Sequence, residues 1–220
     1  MTNEKLYRNL KLLESFLKED CFQDNGCVSA QALVSSMIVE VEQDIRNQAN
    51  KASKNASIAK AAEGILNYAQ KNITNPVFHK AYKGAQYLYV CDTFRLVRFN
   101  ILTAPTLPMH DIKFDAYPDC DRIIPKDYTR EIELPDINTL TAFIKLKKAE
   151  IRAKKGSIGP VYELVYGAHV IKVGAEYLLS MLQCLPEAKA KISSKNCELK
   201  GILFEASNGV GILMPVRRTE

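Results

Sequence analysis

The chain has 220 residues, a length that suits one large domain or two of roughly 100 residues each. Hydrophobic residues make up 47% and charged residues 25%, ordinary globular usage that excludes collagen-like, disordered and disulfide-scaffold chains. The net charge of +5 is concentrated: Lys145, Lys147, Lys148, Arg152, Lys154 and Lys155 fall in one segment whose single acid is Glu150. Charges run throughout the first twenty residues, so neither a signal peptide nor a membrane span is expected, and the cytoplasm is the expected location. Cys21, Cys27, Cys91, Cys120, Cys184 and Cys197 lie far apart, with no CxxC pair and no His at zinc-ligand spacing from two of them, a pattern of reduced thiols.

Leu6, Leu10, Leu13 and Leu17 recur at spacings of three and four, which predicts a helix over 4–18, followed by a turn at Asp24-Asn25-Gly26. A second helix starts after Ser29 as N-cap, carries Leu33, Met37, Val41 and Ile45 on one stripe, and fades into the polar stretch NQANKASKNAS. A third over 58–71 buries Ile58, Ala62, Ile65, Leu66 and Ala69 and stops at KNITNP, because proline disfavours helix at the residue before it. Beyond Pro76 the pattern becomes strand-like, as VFHKAY, a turn at Lys83-Gly84, QYLYVCD and FRLVRFN.

The segment ILTAPTLPMHDIKFDAYPDCDRIIPKD, with its four prolines, is a connector that sets a boundary near 117–126. A strand REIEL, the basic helix over 136–155, a hairpin YELVY-GA-HVIKV, a helix AEYLLSMLQCL and the strands KAKISS, ELKGILFEA and GVGILMPV complete the chain. The Asn208-Gly209 pair predicts a type I′ hairpin. The expected division is a helical segment over 1–57, a mixed unit over 58–116 and a second over 117–220, an α+β fold with helices packed on antiparallel sheets.

Three pieces, in the family's order, resemble the bacterial DNA sliding clamp, the β subunit of DNA polymerase III. YLYVCDTFRLVRF (87–99) resembles the clamp's LVATDxHRLA strand pair, with Asp92, Arg95 and Leu96 matched and Phe94 where the family usually has His or Tyr. AYPDCDRIIPKD (116–127) is similar to the YPDYRRVIP-type linker that enters the clamp's third domain. GILMPVR (211–217) resembles the closing VMPMR, with Met214, Pro215 and Arg217 matched. Only the 16 residues 101–116 separate Asn100 from Tyr117, where a clamp has a further helix and several strands. Residues 58–116 therefore resemble a truncated clamp unit, and 117–220 the clamp's C-terminal domain.

The resemblance implies a DNA-clamp-like fold and a replication or repair accessory protein of the processivity-factor type, with no catalytic residues. Its peptide-binding groove would have Cys91, Thr93, Phe94, Arg95 and Leu96 on one wall and Ile212, Leu213, Met214, Pro215 and Val216 on the other, taking peptides such as QLxLF from partner proteins. Strand core is the alternative role for the apolar ones. Lys145, Lys147, Lys148, Arg152, Lys154 and Lys155 would meet double-stranded DNA through its phosphates, independent of sequence and sensitive to salt, the alternative being a solvated helix face. A ring of six domain equivalents would need three copies of a two-unit chain, a homotrimer, whereas one and a half units would not close with the family's geometry. An adaptor or regulator that binds partner peptides without encircling DNA is the competing reading. His79, His110 and His169 lie in unrelated segments outside any GxSxG, HExxH or P-loop pattern, and Cys91 reads as a packed thiol, so no enzyme, metal or cofactor is expected.

Overall fold

The computed structural model describes residues 2–20, 25–110, 117–153 and 159–216, and the chain forms two compact units, 1–56 and 57–220. The first unit is a helical hairpin of α1 (Asn3–Asp20) and α2 (Asn25–Ala52). Leu10, Val34 and Ile38 are buried between its helices, with Leu6, Tyr7, Leu17 and Val41 packed around them. The Tyr7 hydroxyl donates to Glu42 at 2.9 Å and the Gln31 amide to the Leu17 carbonyl at 2.7 Å, so the two helices run antiparallel. Asn25 and Gly26 are helical rather than a turn, and Asp24 lies outside the described residues. The polar end of α2 continues as helix because Gln48, Ala49, Lys51 and Ala52 are all good helix formers. It ends where Lys54 turns left-handed (φ 60°) and the Asn55 amide bonds the Asn50 carbonyl at 2.8 Å.

The second unit opens with α3 (Ala56–Asn72), which buries Ala59, Ala62, Ile65, Leu66 and Ala69. A single 3₁₀ turn, Pro76–His79, replaces the start of the strand expected from VFHKAY. Asn75 caps it by accepting from the Val77 amide at 3.1 Å, and Pro76 fits the first turn because it needs no backbone donor. There follow β1 (Tyr82–Lys83), β2 (Tyr87–Cys91), β3 (Arg95–Asn100), a short α4 (Cys120–Ile123), β4 (Arg130–Ile132) and α5 (Ile137–Ala153). The chain continues with β5 (Val161–Tyr166), β6 (His169–Gly174), α6 (Ala175–Cys184), β7 (Lys189–Ile192), β8 (Ile202–Ala206) and β9 (Gly209–Leu213).

Seven strands form one antiparallel sheet in the order β1-β2-β3-β9-β8-β7-β4, and β5 and β6 form a separate hairpin. β3 pairs with β9, Arg95 opposite Leu213 and Phe99 opposite Gly209, so the segments expected as units over 58–116 and 117–220 share one sheet. Alternation along the strands divides the core. Val97, Phe99, Phe204 and Leu213 pack with Ile65, Leu140, Leu178 and Met181 of the helices, while Leu96, Leu203 and Ile212 pack on the other face with Tyr89, Cys91, Cys120 and Ile124. No helix among the described residues is long and apolar enough to cross a membrane.

The β8–β9 loop is Ser207-Asn208, and neither Asn208 nor Gly209 has positive φ, so the expected type I′ turn does not form. Asn208 instead serves tertiary contacts: its carbonyl accepts from the Asn100 amide and its side-chain amide donates to the Cys184 carbonyl, both at 3.0 Å. Gly209 is required by close approach, since a Cβ there would lie 2.3 Å from the Arg98 carbonyl oxygen. Among the described residues, the left-handed glycine is Gly167 (φ 57°), in the β5–β6 loop. Gly209→Ala should therefore lower stability by about 1–3 kcal/mol through overpacking. Gly64→Ala, in open space on α3, should raise it by about 1 kcal/mol. The urea midpoint of each variant checks both signs.

Candidate functional site

The turn between β2 and β3 organises the site. Asp92 Oδ1 accepts from the backbone amides of Phe94 at 3.1 Å and Arg95 at 2.7 Å, an Asx turn that holds Thr93 left-handed at φ 72°. The other carboxylate oxygen takes Arg95 Nε at 2.8 Å together with Nη2, and Arg95 Nη1 donates to Ser180 Oγ at 2.7 Å. Asp92 is fully buried and Arg95 is 5% exposed, so each charge depends on the other. The guanidinium also lies over two aromatic rings, 4.3 Å from the centroid of Tyr177 and 5.3 Å from that of Tyr68.

Phe94 is 44% exposed and stacks on Tyr177 with ring centroids 5.5 Å apart, while the Tyr177 hydroxyl donates to the Tyr68 hydroxyl at 2.6 Å. Burial first, then the hydrogen bond to Tyr68, pushes the Tyr177 hydroxyl well above its usual range, so it stays neutral. Beside these rings opens a groove of about 340 Å³, lined mainly by Tyr68, Arg95, Pro160, Val161, Tyr177 and Val216. Its far wall is anchored to the β5–β6 hairpin, where the Val216 amide bonds the Lys172 carbonyl at 2.7 Å.

Of the ten residues expected in the groove, Arg95 and Val216 line it and Phe94 stacks on its Tyr177 wall. Cys91, Leu96 and Ile212 are buried on the opposite face of the sheet, with Met214 packed against them. Leu213 is buried in the helix-side core, Pro215 is buried, and Thr93 is exposed. The reason is the strand period of two, by which a contiguous run cannot line one cleft. Burial pushes the Cys91 thiol up to about 11. Sequence reasoning did not single out Tyr68, Tyr177, Pro160 or Val161. A tyrosine in each of two apolar helices was the available signal, because a buried tyrosine needs a partner for its hydroxyl.

On α5, Asp136 caps the first turn by accepting from the amides of Asn138 and Thr139, both at 2.9 Å. Lys145 and Arg152 are exposed, Lys147 pairs with Glu150 at 2.8 Å, and Lys148 pairs with Glu176 of α6 at 2.5 Å. Lys154, Lys155, Ala116 and Arg217 lie outside the described residues. The histidines sit apart: one ring nitrogen is 2.8 Å from the Ile73 carbonyl for His79, 2.9 Å from the Val77 carbonyl for His110, and 2.7 Å from Glu198 for His169.

No family model and no curated protein sequence matches the chain. Among solved structures it is similar to the DNA polymerase sliding clamp from Bacillus subtilis, at 13% identity and a TM-score of 0.48, over 74% of this chain and 63% of that one. It is also similar to the DNA polymerase III β subunit from Thermotoga maritima (16% identity, TM-score 0.33, 60% of this chain and 42% of that one). The sliding clamp from Pseudomonas aeruginosa gives 13% identity and a TM-score of 0.34, again over 60% and 42%. The chain thus spans less than two thirds of the length of each of these clamps.

Removing the charge of Asp92 while keeping its shape tests the anchor of the site. Asp92→Asn should destabilise the protein by about 3 kcal/mol or more, because it leaves the Arg95 cation buried without its counter-charge. Chemical denaturation reads the loss directly.

Proposed function

We propose that the protein is a sliding-clamp-like accessory factor of DNA replication or repair that holds short partner peptides in the groove beside Arg95 and acts without catalysis. One observation carries this reading. The β3–β9 ladder sets the described parts of the two resembling segments, 87–99 and 211–216, side by side, and the groove opens at their shared end, where the Met214 amide bonds the Phe94 carbonyl at 2.9 Å. A mostly apolar cleft of this volume suits the aliphatic and aromatic side chains of an extended peptide.

Fluorescence polarisation with a labelled QLxLF peptide tests the groove. Tyr177→Ala should weaken binding at least about tenfold, since truncating a central aromatic anchor commonly costs 2 kcal/mol or more. Met214→Ala, on the opposite face of the sheet, should change it less. Absence of binding at high micromolar peptide, or unchanged binding by Tyr177→Ala, overturns the reading.

In the fuller form of this function, α5 faces the phosphates of double-stranded DNA within a ring of three copies. The pairing of Lys147 and Lys148 with carboxylates favours the second reading, an adaptor that binds peptides without encircling DNA, because it lowers the net positive charge of the helix. Retention on circular DNA separates the two. Under the ring reading, Lys145→Glu with Arg152→Glu should lower the log-log salt slope by about 0.9 for each lost phosphate contact. A monomeric mass by light scattering, with retention indifferent to those substitutions, favours the adaptor.

A further inference from the structure

We propose that His169, Cys197 and Glu198 form a binding site for a divalent transition metal of the zinc class, away from the peptide groove. One imidazole nitrogen of His169, Cys197 Sγ and a Glu198 carboxylate oxygen all lie within 4.8 Å of one another. A four-coordinate zinc ion, bonded at about 2.3 Å to sulfur and about 2.0–2.1 Å to nitrogen and oxygen, draws such atoms to roughly 3.3–3.7 Å apart. The two surface ligands can make that adjustment, since the side chains of His169 and Glu198 are 55% and 49% exposed and already meet at 2.7 Å.

The third ligand is held firmly. Cys197 is 5% exposed and packed in the core, and it occupies, with Glu198, the central positions of a turn closed by the Leu199 amide on the Asn196 carbonyl at 3.0 Å. Asn196 enters that turn with φ 54°. Sequence spacing alone did not reveal the set, because His169 precedes Glu198 by 29 residues and starts β6 of the separate hairpin, whereas Glu198 lies in the β7–β8 connection.

The donor chemistry narrows the ion. A thiolate and an imidazole select zinc, cobalt or copper over magnesium and calcium, which prefer an all-oxygen shell. Three protein ligands leave the fourth position to water. In the fold, the ion would clip the β5–β6 hairpin to the β7–β8 connection of the large sheet, at the point where the His169–Glu198 pair already joins them.

The test uses the full-length protein, reduced and stripped of metal with a chelator, then titrated with Co²⁺ as a spectroscopic probe and afterwards with Zn²⁺. Stoichiometric thiolate-to-cobalt charge-transfer absorption should appear, be displaced by Zn²⁺, and be accompanied by a higher melting temperature. His169→Ala and Glu198→Gln should each weaken Co²⁺ binding by about tenfold or more, and Cys197→Ser should remove the charge-transfer band. Should the buried Cys197→Ser change prevent folding, the exposed His169→Ala change keeps the test intact. The proposal falls if the unaltered protein shows no such band, or if His169→Ala leaves the band and its affinity unchanged. In the second case the metal sits on other thiols, and His169 and Glu198 form only a surface ion pair.

Discussion

Pairing of β3 with β9 is the constraint on which the rest of the larger unit depends. It joins strands from either side of a proline-rich connector into one seven-stranded sheet. Glycine makes the approach possible. A side chain at Gly209 would strike the Arg98 carbonyl, and one at Gly211 would lie 2.4 Å from Met181 and 2.8 Å from Leu185. The second close contact lets α6 lie low against β9, which brings Tyr177 and Ser180 within reach of Arg95. Removing the ladder would therefore dismantle both the sheet and the groove.

Arg95 shows how a buried charge can organise a site without serving as its ligand contact. Its hydrogen-bonding capacity is directed to Asp92 and Ser180, and its flat faces lie against Tyr68 and Tyr177. A replacement by apolar groups of similar volume could be as stable, so what the ion pair contributes is positional order. It tightens the β2–β3 turn and presents Phe94 outward onto Tyr177. With the guanidinium so engaged, the surface that the groove offers is mainly aromatic and aliphatic, which suits the apolar peptide side chains proposed for it better than free carboxylates.

The charge of α5 was plain from composition, but its electrostatic effect depends on neighbours that composition does not reveal. Glu150 lies one turn from Lys147 on the same helix, whereas Glu176 reaches Lys148 from α6. Both pairs are solvent-exposed and contribute little to stability. Their consequence is for binding, since a lysine already neutralised releases fewer counterions on meeting a polyanion.

What the sequence determined by itself is local. The spacing of leucines and alanines located α1 and α3, the apolar run to Cys184 located α6, and alternating β-branched and aromatic residues located β2, β3, β5 and β6. Asp92 and Arg95 were visible only as matched positions of a clamp-like motif, not as an ion pair. Tertiary structure alone decided which face each strand residue takes, sending Cys91, Leu96 and Ile212 beneath the sheet while Tyr68, Arg95 and Tyr177 converge on the groove. It also decided that Asn208-Gly209 serves interstrand contacts in place of a left-handed turn, and that His169 meets Cys197 and Glu198. The reason is physical. Periodicity reports the conformation of a segment on its own, whereas side-chain convergence depends on strand register and on which distant segments pair, and these are settled only when the whole core packs.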